Sequence, residues 1–65
     1  MNKIRELREK AGKTQTDIAI ELNVVQSTVA MWETGQNMPR ADKLTPLAKI
    51  LGCTVDELLE EDRTA

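Results

Sequence analysis

The reactive residues of this chain are few and scattered. It has one thiol, Cys53, no histidine, and no grouping of acid, base and nucleophile. A lone cysteine without histidine forms neither an internal disulfide nor a credible zinc set or catalytic dyad. Enzyme activity is therefore not expected, nor a metal, a cofactor or a small-molecule substrate. What remains is amides, hydroxyls and charges, whose chemistry is that of binding. The sparing use of cysteine suits a reducing, cytoplasmic setting. No apolar run approaches the ~20 residues of a membrane span. The opening stretch MNKIRELREK lacks the apolar segment of a secretion signal.

Charge narrows the range of partners less than its total suggests. The formal net charge is −2, which by itself speaks against a polyanionic partner, because phosphate neutralisation supplies most non-specific affinity for nucleic acids. The charges are unevenly placed, however. Lys3, Arg5, Arg8, Lys10 and Lys13 outweigh Glu6 and Glu9 at the start, while Asp56, Glu57, Glu60, Glu61 and Asp62 outweigh Arg63 at the end. The chain reads as a weakly basic body with an acidic tail.

The elements that must position any binding groups are helices. At 65 residues, 40% of them apolar, without Phe or Tyr, the chain holds one small and marginal domain whose core must come from Leu, Ile, Val, Ala and Trp32. Asn2 is expected to cap a first helix over about 2–11, with Ile4, Leu7 and Ala11 on one face and Gly12 as its left-handed stop. Thr14 and Asp17 resemble a capping box for a second helix over 15–22, striped with Ile18, Ala19 and Leu22. Asn23, Val24 and Val25 separate it from a third over 26–34, with Val29 and Trp32 inward and Gly35 at its end. After a loop containing Asn37 and Pro39, Asp42 is expected to cap a fourth helix bearing Leu44, Leu47, Ala48 and Leu51. That would put Pro46 at the edge of the first turn, where a missing amide costs little. Thr54 and Glu57 form a capping box for a last helix with Val55, Leu58 and Leu59. The expected fold class is all-α, a compact five-helix domain over 1–59 followed by an acidic, frayed tail over 60–65.

Helices two and three, with three residues between them, have the spacing of a helix-turn-helix, which projects its second helix outward. The residues Thr14, Gln15, Ile18, Ala19, Leu22, Val24, Gln26 to Val29, Trp32, Glu33 and Gly35 resemble the Cro/XRE-type, lambda-repressor-like family. The likeness continues through Asn37, Pro39, Leu44, Leu47, Ala48 and the run from Leu51 to Leu59. It covers essentially residues 3–59, with glycines, caps and core positions in register.

The resemblance implies a transcriptional regulator of phage or mobile-element type that binds double-stranded DNA with helix 26–34 in the major groove. It places the base-reading positions on Gln26, Ser27, Ala30 and Met31, with Thr28 nearby. Gln pairs bidentately with adenine, Ser is permissive, and Ala30 and Met31 could pack on thymine methyls. Phosphate contacts fall to Gln15 at a helix start, and to Thr34, Gln36, Asn37, Arg40 and Lys43. Arg8 and Glu33 match a structural ion pair that holds the recognition helix to the body. Cys53 stands where the family has a small apolar residue, so a buried thiol is expected. Val25 and Met31 depart from the commoner Ser cap and charged residue, leaving helix three without Arg or Lys. Family relatives bind as dimers on pseudo-palindromes, which implies a weak homodimer through Val55, Leu58 or Leu59. The rival reading is a protein-interaction module on the same scaffold, an antirepressor or antitoxin-like subunit, suggested by the uncharged, partly apolar helix three.

Overall fold

The computed structural model describes residues 3–59; the expected cap Asn2 and the tail 60–65 lie outside them. The described residues form α1 (Ile4–Lys10), α2 (Gln15–Leu22), α3 (Gln26–Thr34), α4 (Ala41–Leu51) and α5 (Val55–Leu59), with no strand among them. Start and stop chemistry at the helix ends accounts for most of these boundaries. Thr14 Oγ1 accepts from the Asp17 amide at 3.0 Å while Asp17 Oδ2 accepts from the Thr14 amide at 2.9 Å, so the box that opens α2 is closed on both sides. Thr54 and Glu57 make the equivalent pair before α5, at 3.1 and 3.0 Å. Gly35 ends α3 at φ 84°, a left-handed conformation that L side chains adopt only with strain.

Three expectations need correction. Lys3, not Asn2, occupies the cap position of α1, without a side-chain bond, and the helix ends at Lys10, so Ala11 lies exposed beyond its last turn. Arg40, not Asp42, precedes α4. The cause lies just upstream: Arg40 is extended at φ −72°, ψ 164° after the buried Pro39, and Ala41 turns into the helix at once. Arg40 then receives the amides of Lys43 and Leu44 at its carbonyl, at 2.9 and 2.8 Å. Asp42 falls in the first turn, where its charge suits the positive end of the helix. Pro46 consequently sits well inside the helix, where it withholds the amide that the Asp42 carbonyl would accept.

One apolar cluster joins all five helices: Ile4, Ile18, Ala19, Leu22, Val29, Trp32, Leu47, Ala48, Leu51 and Leu58. Leu7, Val24, Leu44, Ile50, Cys53 and Val55 pack against it half-buried. The last helix closes the bundle by returning to the first. Leu58 is 0% exposed, and its carbonyl accepts from the Lys3 amide at 3.3 Å. Each such buried Leu or Ile is worth about 1.5–3 kcal/mol relative to an exposed one, so α5, though only five residues long, is part of the core.

Candidate nucleic-acid interface

The connection between α2 and α3 fixes their relative attitude. Asn23 turns left-handed at φ 58°, ψ 45°, a conformation Asn tolerates better than other non-glycine residues. Val24 returns its amide to the Ala19 carbonyl at 2.9 Å and packs on the core. Val25 is extended, precedes α3 without offering a side-chain cap, and is 65% exposed.

This turn sets α3 with one side down and one side out. Val29, Trp32 and Glu33 are buried. Gln26, Ser27 and Thr34 are exposed, and Ala30 and Met31 are half-buried. At 3.6 residues per turn, Ser27, Met31 and Thr34 share the outward side, with Gln26 at its margin beside α2. Thr28 turns to the side away from Gln26, into an open groove lined with Val24, Trp32, Asn37 and Lys43.

A chain of polar side chains fastens the start of α3 to the body. Arg8 Nε donates to Glu33 Oε2 at 2.5 Å, its Nη2 to Oε1 at 3.4 Å, and its Nη1 to the Lys13 carbonyl at 2.8 Å. Gln15 Nε2 donates to Glu33 Oε1 at 2.9 Å, and Gln26 Nε2 donates in turn to Gln15 Oε1 at 2.5 Å. The ion pair is thus the inner end of a line running from α1 through α3 and α2 to the outward margin of α3. Its hydrogen bond and charge hold the Arg8 guanidinium above its ordinary pKa, against the opposing effect of burial. No buried side-chain polar atom among the described residues lacks a partner.

The expected phosphate contacts divide into three groups. Gln36, Asn37 and Arg40 are exposed on the link from α3 to α4. Asn37 also closes the end of α3, its amide donating to Met31 Sδ at 3.5 Å and its backbone N–H to the Met31 carbonyl at 3.4 Å. Thr34 and Lys43 each have a donor engaged within the protein: Thr34 Oγ1 on the Met31 carbonyl at 3.1 Å, and one N–H of Lys43 Nζ on the Leu22 carbonyl at 2.9 Å. Lys43 thereby covers the negative end of α2. Gln15 is half-buried and doubly bonded, so it is first a strut and only secondarily a donor to solvent. The basic N-terminal segment is also compensated internally, with Arg5 on Glu9 at 3.4 Å and Lys13 on Glu21 at 3.3 Å.

The expected dimer patch is corrected in one position. Leu58 is sealed in the core because its side of α5 faces α1 and α4, which leaves Leu59, 37% exposed, and half-buried Val55. Cys53 is half-buried, and burial raises its thiol pKa. Among the described residues no group of His, Cys, Asp or Glu could hold a metal ion, and no helix is long and apolar enough to cross a membrane. Sequence reasoning missed the Gln15–Gln26 bridge, although both residues occupy the first position of helices joined by a tight turn. It also missed the Lys43 contact, which depends on how α4 lies across α2 and has no local signal.

A sequence model of the helix-turn-helix family matches residues 4–58. The chain is 33% identical over 57 residues, 88% of its length, to the HTH-type transcriptional activator BcrR of Enterococcus faecalis. It is 30% identical over 63 residues, 97% of its length, to the cryptic phage CTXphi transcriptional repressor RstR of Vibrio cholerae. It spans only 28% of the first protein and 57% of the second. Among solved structures, the P22 c2 repressor in complex with a synthetic operator superposes with a TM-score of 0.82 at 30% identity, over 91% of this chain and 89% of that one.

Proposed function

The chain belongs to the Cro/C1-type helix-turn-helix family, and from that premise we propose that it is the DNA-binding domain of a transcriptional regulator, reading its operator with α3 in the major groove. The observation that carries this reading is the two-sided setting of α3, with Gln26, Ser27 and Met31 outward and Val29, Trp32 and Glu33 fastened behind. Gln26 gives one amide hydrogen to Gln15, which leaves its oxygen and second N–H for an adenine edge. Ser27 tolerates several bases, while Ala30 and Met31 offer apolar contact to thymine methyls. Gln15 retains one N–H for a phosphate at the start of α2, and Gln36, Asn37 and Arg40 flank the same side. The relatives include both an activator and repressors, so the scaffold serves either sign of regulation.

Because most nearby cations are already paired, phosphate contacts are few and specificity rests on amide, apolar and DNA-shape terms. Operator binding follows two-fold symmetry in this proposal, as a weak homodimer meeting through Val55 and Leu59 with half-sites about 34–36 Å apart. Selection from a random DNA pool, followed by titration over a range of salt concentrations, tests the reading. A recovered palindrome is expected, with a log–log salt slope between about −2 and −4 for two protomers. Failure to enrich any sequence, together with salt-independent behaviour, would favour a protein-interaction module instead.

A further inference from the structure

Glu33 touches no outward surface, being 5% exposed, yet it stands at the head of the line that ends on Gln26. We infer that Glu33 is a positioning residue for base recognition: its carboxylate fixes which end of the Gln26 amide faces the DNA. The inference rests on the DNA-binding reading above and extends it to a residue that does not reach the DNA.

The argument is one of donors and acceptors. A carboxylate accepts hydrogen bonds and donates none, whereas a glutamine amide has a donor end and an acceptor end of nearly the same shape. Facing Glu33 Oε1, Gln15 must present its NH2, which it does at 2.9 Å. Its oxygen is thereby turned toward Gln26, which must answer with its own NH2, as it does. What Gln26 then has left is an oxygen beside an N–H, the acceptor–donor pattern that complements N6–H and N7 of adenine. Turned around, the same amide would present two N–H groups, which complement N7 and O6 of guanine. Space alone does not choose between these two orientations, because the two ends are nearly isosteric. The choice is made two residues away by a group that can only accept, and Arg8 holds that group in place through Glu33 Oε2.

Swapping the carboxylate tests this. The wild-type protein is expected to prefer adenine over guanine opposite Gln26 by about 10-fold or more. E33Q, whose amide can accept or donate toward Gln15, should reduce that ratio to about 2-fold or less, since each orientation of the line becomes allowed. Q15L, which leaves the Arg8–Glu33 pair intact, should reduce the ratio similarly and covers the case in which E33Q folds poorly. The double variant E33Q/Q15E moves the acceptor-only group next to Gln26 and should restore the adenine preference, even though the added charge weakens binding to all sequences. A purely structural role for Glu33 predicts no such rescue.

Nuclear magnetic resonance of the free protein separates this inference from the DNA-binding reading. A scalar coupling from the Gln26 side-chain nitrogen to the Gln15 side-chain carbonyl carbon is expected in the wild type and weakened in E33Q, and the double variant should show the equivalent coupling to the carboxylate carbon at position 15. Absence of the coupling in the wild type, or a base ratio unchanged by both E33Q and Q15L, overturns the inference. A protein that shows the coupling yet binds no DNA overturns the functional reading and with it any role for Glu33 in base choice, while upholding the amide orientation itself.

Discussion

The inward side of α3 and its margin against α2 are held by different forces. Inward, Val29 and Trp32 sink into an apolar cluster at 0% and 4% exposure, an attraction that is strong and decides which side of the helix turns in, but that specifies no bond angles and no donor or acceptor ends. At the margin, Glu33 and Gln26 enter a line of hydrogen bonds whose angles and donor ends are specified. Burial keeps the helix on the body, whereas the polar line aims it. Stability and aim therefore reside in separate groups, and each can be damaged with the other largely intact.

Leu47→Ala should be the most damaging change to the apolar side. Leu47 is 0% exposed at the centre of the cluster, and its truncation should cost about 3–4 kcal/mol, most of the stability available to a domain this small. Thermal melting followed by circular dichroism should show a transition greatly lowered or lost. Arg8→Met attacks the polar line at its inner end and leaves Glu33 buried without its cation, at a cost of about 3 kcal/mol. Adding Glu33→Leu should recover most of that stability, because a buried ion pair is often replaceable by apolar groups. Base preference should stay lost. A double variant that regains both would show that the polar line and the aim are unrelated.

Much of this arrangement is legible in the sequence, for local reasons. The box at Thr14 and Asp17, the box at Thr54 and Glu57, and the stop at Gly35 are chemistry between near neighbours, and each defines a helix end wherever the chain folds. The outward setting of Ser27 and Met31 follows from the inward pull of Val29 and Trp32 on the same helix. At the start of α4 two opening signals compete. An Asp at position 42 is a good cap in isolation, but Arg40, extended after the buried Pro39, and the Ala at 41 begin the helix earlier. The use of Leu58 as core, and of Lys43 as a cover for the end of α2, depends on distant elements meeting. Resemblance supplied the Arg8–Glu33 pair; only the folded arrangement shows that the pair is continued through Gln15 to Gln26.

Thr14→Ala is a smaller perturbation that falls between the two systems, since it loosens the turn on which Gln15 stands. It should cost about 1 kcal/mol, visible as a shift in the urea midpoint. The same box carries a pH signature. The backbone N–H of Thr14, and next its hydroxyl, hold the Asp17 carboxyl below its ordinary pKa. A carboxyl depressed in the folded state contributes stability above its unfolded pKa, near 4, and loses it as pH falls through the folded value. The stability difference between wild type and Asp17→Asn should accordingly narrow in acid below about pH 4; a difference constant from pH 7 to 2 would contradict the box as its source.

The most direct test is the binding of Gln26→Ala to a selected operator and to a scrambled duplex of equal length, measured side by side at one salt concentration. Operator affinity should fall by about 1–3 kcal/mol, with the scrambled duplex bound as before and the melting temperature essentially unchanged. Equal weakening on both duplexes, or none on either, would mean that the outward margin of α3 does not read bases.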